Sequence, residues 1–104
     1  MRPPGDCQNM DELRTEIDRL DRELVALLVA RAGYIDRAID LKTTAQLPAR
    51  IDARVAEVLE NVRTLAAQQG LDPDLAGALW ERLIEWSIAR EERVLGPGTE
   101  GTTE

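Results

Sequence analysis

Regular patterning begins near residue 10. Leu13, Ile17, Leu20, Leu24 and Leu27 recur in steps of four, three, four and three. That spacing keeps side chains on one stripe of an α-helix. Gly33 interrupts it at a cost of only about 1 kcal/mol, and Ile35, Ala38, Ile39 and Leu41 resume it. The pattern predicts one helix over about 10–42, with Asp11 and Glu12 suited to the positive end of its dipole. Pro48 punctuates the loop that follows. Ile51, Val55, Val58, Val62 and Leu65 form a second seam, ended by Gly70. Asp72 and Pro73 read as the N-cap and first residue of a third helix. Its core stripe is expected at Leu75, Leu79, Leu83 and Trp86, and Gly96-Pro97-Gly98 stops it. No segment reads as a strand. The fold class is all-α: three helices, long, medium and medium. Residues 1–9 are expected as a flexible arm, 10–95 as one helical domain and 96–104 as a disordered tail.

The long helix carries an implication. About 32 residues span roughly 48 Å, whereas a chain of this length packs to a radius of gyration near 13 Å. Its apolar seam needs a cover, and a second copy of the chain is the simplest one. A homodimer of intertwined helices is therefore expected.

Composition narrows the chemistry. The 104 residues are 43% hydrophobic and 32% charged, with 13 Lys+Arg against 20 Asp+Glu and a formal charge of -7. There is no histidine and one cysteine, Cys7. Histidine-ligated metals, histidine-based triads and internal disulfides are thereby excluded. The acidic balance and 3% aromatic content argue against nucleic-acid binding. No apolar run approaches the ~18 residues of a membrane span, and residues 1–7 lack the apolar stretch of a secretory signal. A cytoplasmic protein is expected, using arginine, lysine, carboxylates, serine and backbone groups.

Several charges stand where apolar residues belong. Arg31 takes the next seam position after Leu27. It either meets an anion, forms a buried salt bridge or snorkels to the surface. Lys42 lies eleven residues on, roughly 20° around the helix from Arg31, and also suits a last-turn lysine. Arg14 lies about 25 Å before Arg31. An antiparallel partner helix would bring Arg14 of one copy near Arg31 of the other; otherwise Arg14 pairs with Asp18 or Glu12. Arg50 and Arg54 flank the first turn of helix two, where a bound anion would suit them. The alternative there is pairing with Asp52 or Glu57. On helix three, Trp80, Ile84, Ser87 and Glu91 share a stripe that turns from apolar to polar, as a face rolling out to solvent does.

These features together resemble a known family. The stretch LRTEIDRLDRELVALLVAR (13–31), the spacing Arg14–Arg31–Lys42–Arg54, the stretch GLDPDLAGALWERLIEWSI (70–88) and Glu91 resemble the all-helical chorismate mutases. That family includes the related isochorismate pyruvate lyase of salicylate and siderophore biosynthesis. The resemblance covers roughly residues 7–93. It implies an intertwined homodimer with two shared sites for a small dicarboxylate, chorismate or isochorismate. It implies that Arg14 enters from the other chain, that Arg31 and Arg54 bind substrate carboxylates, and that Ser87 contacts substrate. Lys42 and Glu91 match the two donors to the ether oxygen of the breaking bond. The implied reaction, chorismate to prephenate in aromatic amino-acid biosynthesis, is pericyclic and needs no nucleophile, metal or cofactor. It needs a selected conformer and stabilised oxyanion charge.

Two positions depart from the mutase pattern. Glu91 stands where many bacterial mutases carry glutamine, and must hold a proton to donate. Val55 stands where a glutamate commonly binds the substrate hydroxyl. The lyase is similar to this chain at Val55, Tyr34, the Asp6-Cys7 arm and near Trp86, whereas the twelve-residue spacing of Lys42 and Arg54 resembles the mutases. A non-catalytic helical dimerisation module is the rival of another class, but a passive seam has no use for Arg31.

Overall fold

A computed structural model describes residues 1–97; the tail expected to be disordered lies, from 98 on, outside the described residues. Three α-helices are present, α1 (Met10–Ala45), α2 (Asp52–Gln69) and α3 (Pro73–Leu95), preceded by a single 3-10 turn at Pro4–Asp6. Among the described residues there is no strand. Among the described residues no helix is long and apolar enough to cross a membrane. The chain divides into two compact units, Met1–Tyr34 and Ile35 onward.

The first unit holds the arm and most of α1. The 3-10 turn closes through the amides of Asp6 and Cys7, which donate to the carbonyls of Pro3 and Pro4. α1 starts on a reciprocal cap. The Asn9 Oδ1 accepts from the Glu12 amide at 2.9 Å, and the Glu12 carboxylate accepts from the Gln8 amide at 2.8 Å. The first bond satisfies a donor a helix start leaves open, and the second ties the preceding chain to the first turn. The Gln8 amide foremost holds the Glu12 carboxyl below its ordinary range; burial pushes it up, and the Arg2 guanidinium at 2.6 Å adds to the lowering. Beyond the cap the apolar seam is uncovered: Ile17, Leu20, Leu24 and Leu27 are 45–66% exposed.

The second unit is organised by α2 and α3, which pack on each other and are joined by three residues. Gly70 ends α2 in the left-handed region at φ 83°. The Gly70 and Leu71 amides bond back to the carbonyls of Ala67 and Ala66, a Schellman closure. Asp72 caps α3 by accepting from the Asp74 amide at 2.9 Å, with Pro73 in the first turn. The core gathers Ala49, Ile84 and Ile88, with Val55, Val58, Leu59, Trp80 and Leu95 against them.

The structure corrects two expectations on α3. The face turned inward carries Ala76, Gly77, Ile84, Ser87, Ile88 and Glu91. The expected core stripe is instead largely open, with Leu75, Leu79 and Trp86 near half exposed. The buried face mixes the small Ala76, Gly77 and Ser87 with Ile84, Ile88 and Glu91. At Gly77 an added Cβ would stand 2.6 Å from an Arg63 nitrogen. Nor does the Trp80–Ile84–Ser87–Glu91 stripe roll out to solvent: Ser87 and Glu91 are each only 4% exposed.

α1 also runs three residues past the expected end at 42. Its stop uses the same closure as α2: the Gln46 amide donates to the Thr43 carbonyl, and the Leu47 amide to the Lys42 carbonyl at 2.9 Å. Here the left-handed residue is Gln46, at φ 59°. A glutamine in that role gives no sequence signal of a helix end.

Candidate active site

Lys42 sits in the last turn of α1, and the closure at Gln46 turns the chain so that Ala49 comes back beneath it. The Lys42 ammonium donates to the Ala49 carbonyl at 2.8 Å and to the Glu91 carboxylate at 2.6 Å. The pair is well shielded, with side-chain exposures of 18% for Lys42 and 5% for Glu91. An ammonium has three donors, so these two bonds leave one for a further acceptor. Ser87, one turn before Glu91 on the same buried face, donates its hydroxyl to the Leu83 carbonyl at 2.8 Å.

The arginines are placed differently. Arg54, exposed in the first turn of α2, bonds Glu57 at 2.7 Å, one of the two local pairings weighed for it. Arg50 reaches across to Glu85 on α3 rather than to a neighbour on α2. That hydrogen bond is the main reason its guanidinium titrates above the ordinary range. Arg14 is exposed and Arg31 half-buried on the α1 segment of the first unit. The second unit therefore brings Lys42 and Glu91 into contact, with Ser87 on the same face, while the Arg54 guanidinium is engaged by its own helix.

One further arrangement escaped the reading of the sequence. Arg90, next to Glu91, grips Asp36 of α1 through two bonds, Nε to Oδ1 at 2.6 Å and Nη2 to Oδ2 at 3.1 Å. Its guanidinium carbon lies 5.4 Å from the centre of the Trp86 ring, within cation–π range. The Arg90 hydrogen bond foremost holds the Asp36 carboxyl below its ordinary range, and Asp36 in turn raises Arg90. No local pattern marks a pair separated by 54 positions. For Lys42 a signal existed: it is the sole lysine among the 13 cationic residues.

Comparison with known proteins gives this geometry a context. A family model described as chorismate mutase type II matches residues 13–92. The isochorismate pyruvate lyase of Pseudomonas aeruginosa is 34% identical over 92 residues, covering 88% of this chain and 89% of its own. The bifunctional chorismate mutase/prephenate dehydratase of Aquifex aeolicus is 38% identical over 97 residues, 86% of this chain and 27% of its own length. This chain thus spans about a quarter of that relative. The 4-amino-4-deoxychorismate mutase of Streptomyces pristinaespiralis is 26% identical over 96 residues, 92% of this chain and 74% of its own. The matched stretch contains the buried Lys42–Glu91 pair and every arginine singled out by position, and the chain belongs to the type II chorismate mutase family.

Proposed function

We propose that the protein is a chorismate mutase, rearranging chorismate to prephenate in aromatic amino-acid biosynthesis. The observation that carries this reading is the shielded Lys42–Glu91 contact at 2.6 Å, with one ammonium donor left over. A pericyclic rearrangement develops negative charge on an ether oxygen as the bond to it breaks. A fixed ammonium in a water-poor setting stabilises that charge without reorganising. Glu91 and the Ala49 carbonyl fix where the ammonium points. Glu91, the partner of Lys42 in the free protein, becomes the second donor by taking up a proton with the substrate. Arg14, Arg31 and Arg54 take the substrate carboxylates, and Ser87 contacts the substrate; for Arg54 this means exchanging Glu57 for the ligand.

The working form in this reading is a homodimer with shared sites, Arg14 being supplied by the partner. Its support is the uncovered apolar seam of α1 at Ile17, Leu20, Leu24 and Leu27 and the open Leu75, Leu79 and Trp86 face of α3.

Isochorismate pyruvate lyase activity is the second reading. It is favoured by the relative from Pseudomonas aeruginosa, which matches over nearly the full length of both chains. Incubating the purified protein separately with chorismate and isochorismate tests both. Prephenate from chorismate supports the mutase; salicylate plus pyruvate from isochorismate, without prephenate, replaces it by the lyase. No turnover of either supports a non-catalytic dimerisation module.

A further inference from the structure

We propose that Arg90, gripped by Asp36 and stacked on Trp86, is a positioning residue that holds Lys42 and Glu91 in register. The part of this inference that concerns turnover rests on the mutase reading above. Two polar contacts join the end of α1 to α3: Asp36 with Arg90, and Lys42 with Glu91. On α1 the two anchor residues are six positions apart, about 9 Å along the axis. On α3 they are adjacent. One contact alone is a pivot, and the lysine's four-carbon stem lets α1 swing about it. A second contact about 9 Å away on the same helix leaves only rotation about the line joining the two.

The chemistry of the second contact suits it to this task. A two-point bond between a guanidinium and a carboxylate fixes the plane as well as the distance. Exposed ion pairs contribute little to stability unless they are of this kind. The Trp86 ring, one turn earlier on α3, lies against the same guanidinium. Catalytic donors must be held to fractions of an ångström, and a misplacement of about 1 Å can lower the rate ~100-fold.

The test uses the chain's sole lysine. Acetylation by an N-hydroxysuccinimide ester, followed by peptide mass spectrometry, reads Lys42 separately from the N-terminal amine. Wild type, Arg90→Ala, Arg90→Lys, Asp36→Asn and the exchange Asp36→Arg/Arg90→Asp are compared well below their melting temperatures. Release of the register raises the Lys42 acetylation rate several-fold in Arg90→Ala and Asp36→Asn. It lowers kcat on chorismate ~10- to 100-fold with KM within about twofold. Arg90→Lys, which keeps charge but loses the fork, falls between, and the exchange restores protection of Lys42. Unchanged acetylation in both single variants overturns the proposal. So does a loss of kcat that follows only the loss of folded protein. If Arg90→Ala fails to fold, Asp36→Asn alone decides. Should wild type turn over neither substrate while acetylation responds as stated, the register role stands and the mutase reading falls.

Discussion

The Lys42–Glu91 contact predicts a double-mutant cycle in which two harmful changes nearly cancel. Lys42→Met leaves the Glu91 carboxylate, 5% exposed, without its cation. Stranding a buried charge in this way costs about 3 kcal/mol. Glu91→Leu strands the ammonium instead. That group is closer to water and keeps the Ala49 carbonyl, so the loss is smaller, about 2 kcal/mol. The double variant removes both charges and fills the space with apolar atoms of similar volume. Such replacements are commonly neutral or stabilising, so it should lie within about 1 kcal/mol of wild type. The coupling energy is then about 4 kcal/mol, well above that of an exposed pair. For a domain of this size each kcal/mol moves Tm by about 4–8 °C. The single variants should melt about 10–20 °C low and the double within about 5–10 °C of wild type. Urea unfolding at one fixed protein concentration measures all four, since association shifts apparent stability. Losses that simply add would refute the reasoning: the two charges would then not share a shielded contact. Turnover separates the two meanings of the pair, because the double variant should be well folded and inactive.

Other outcomes follow from single features. Glu91→Gln supplies a neutral N–H donor and should keep mutase turnover, whereas Glu91→Ala should lose about 100-fold; equal kcat values for the two would remove position 91 from the donor role. Arg31→Ala should abolish turnover while circular dichroism still reports the helices, and retained activity would discard its carboxylate role. Asn9→Ala removes the acceptor for the Glu12 amide and should cost about 1 kcal/mol, read as a lower urea midpoint with an unchanged slope. Gln46→Gly relieves a left-handed backbone and should stabilise by about 1 kcal/mol; no gain would mean that Gln46 makes compensating contacts. The Asp36 carboxyl titrates below its ordinary 3.8 when folded. Its stabilising effect is therefore complete above about pH 3.8 and disappears as pH falls through the lower, folded value. The stability gap between wild type and Asp36→Asn should close over that acid range and stay constant above it.

How far the sequence revealed this fold depended on whether each feature was local. Gly70, Asp72 and Pro73 announce the turn between α2 and α3 through residue types with few other uses, and the structure places them as their chemistry requires. α1 ends three residues beyond the point its sequence pattern predicts, because Gln46 does the work that glycine does at Gly70. On α3 the large side chains Leu75, Leu79 and Trp86 drew the reading to the wrong face. Hydrophobic size marks what some surface must cover, but not whether that surface belongs to the same chain. Lys42 and Glu91 were picked out as a pair by resemblance, and they meet in space. The Asp36–Arg90 grip and the Ala49 carbonyl were illegible. The first depends on which helix faces which; the second is a backbone group that any residue could supply.

The three-residue turn between α2 and α3 has a consequence in time. Contacts between neighbouring helices require little loop closure, so this hairpin should form early, on the microsecond-to-millisecond scale of local helical assembly. The bond from Lys42 to Glu91 bridges 49 positions and depends on the loop through Ala49, so it belongs to a later step. A refolding chain would thus regain about half of its helical signal, that of α2 and α3, before its lysine is sheltered. Ellipticity after dilution from denaturant should recover ahead of Lys42 protection, and the lag between them times the assembly of the reactive pair.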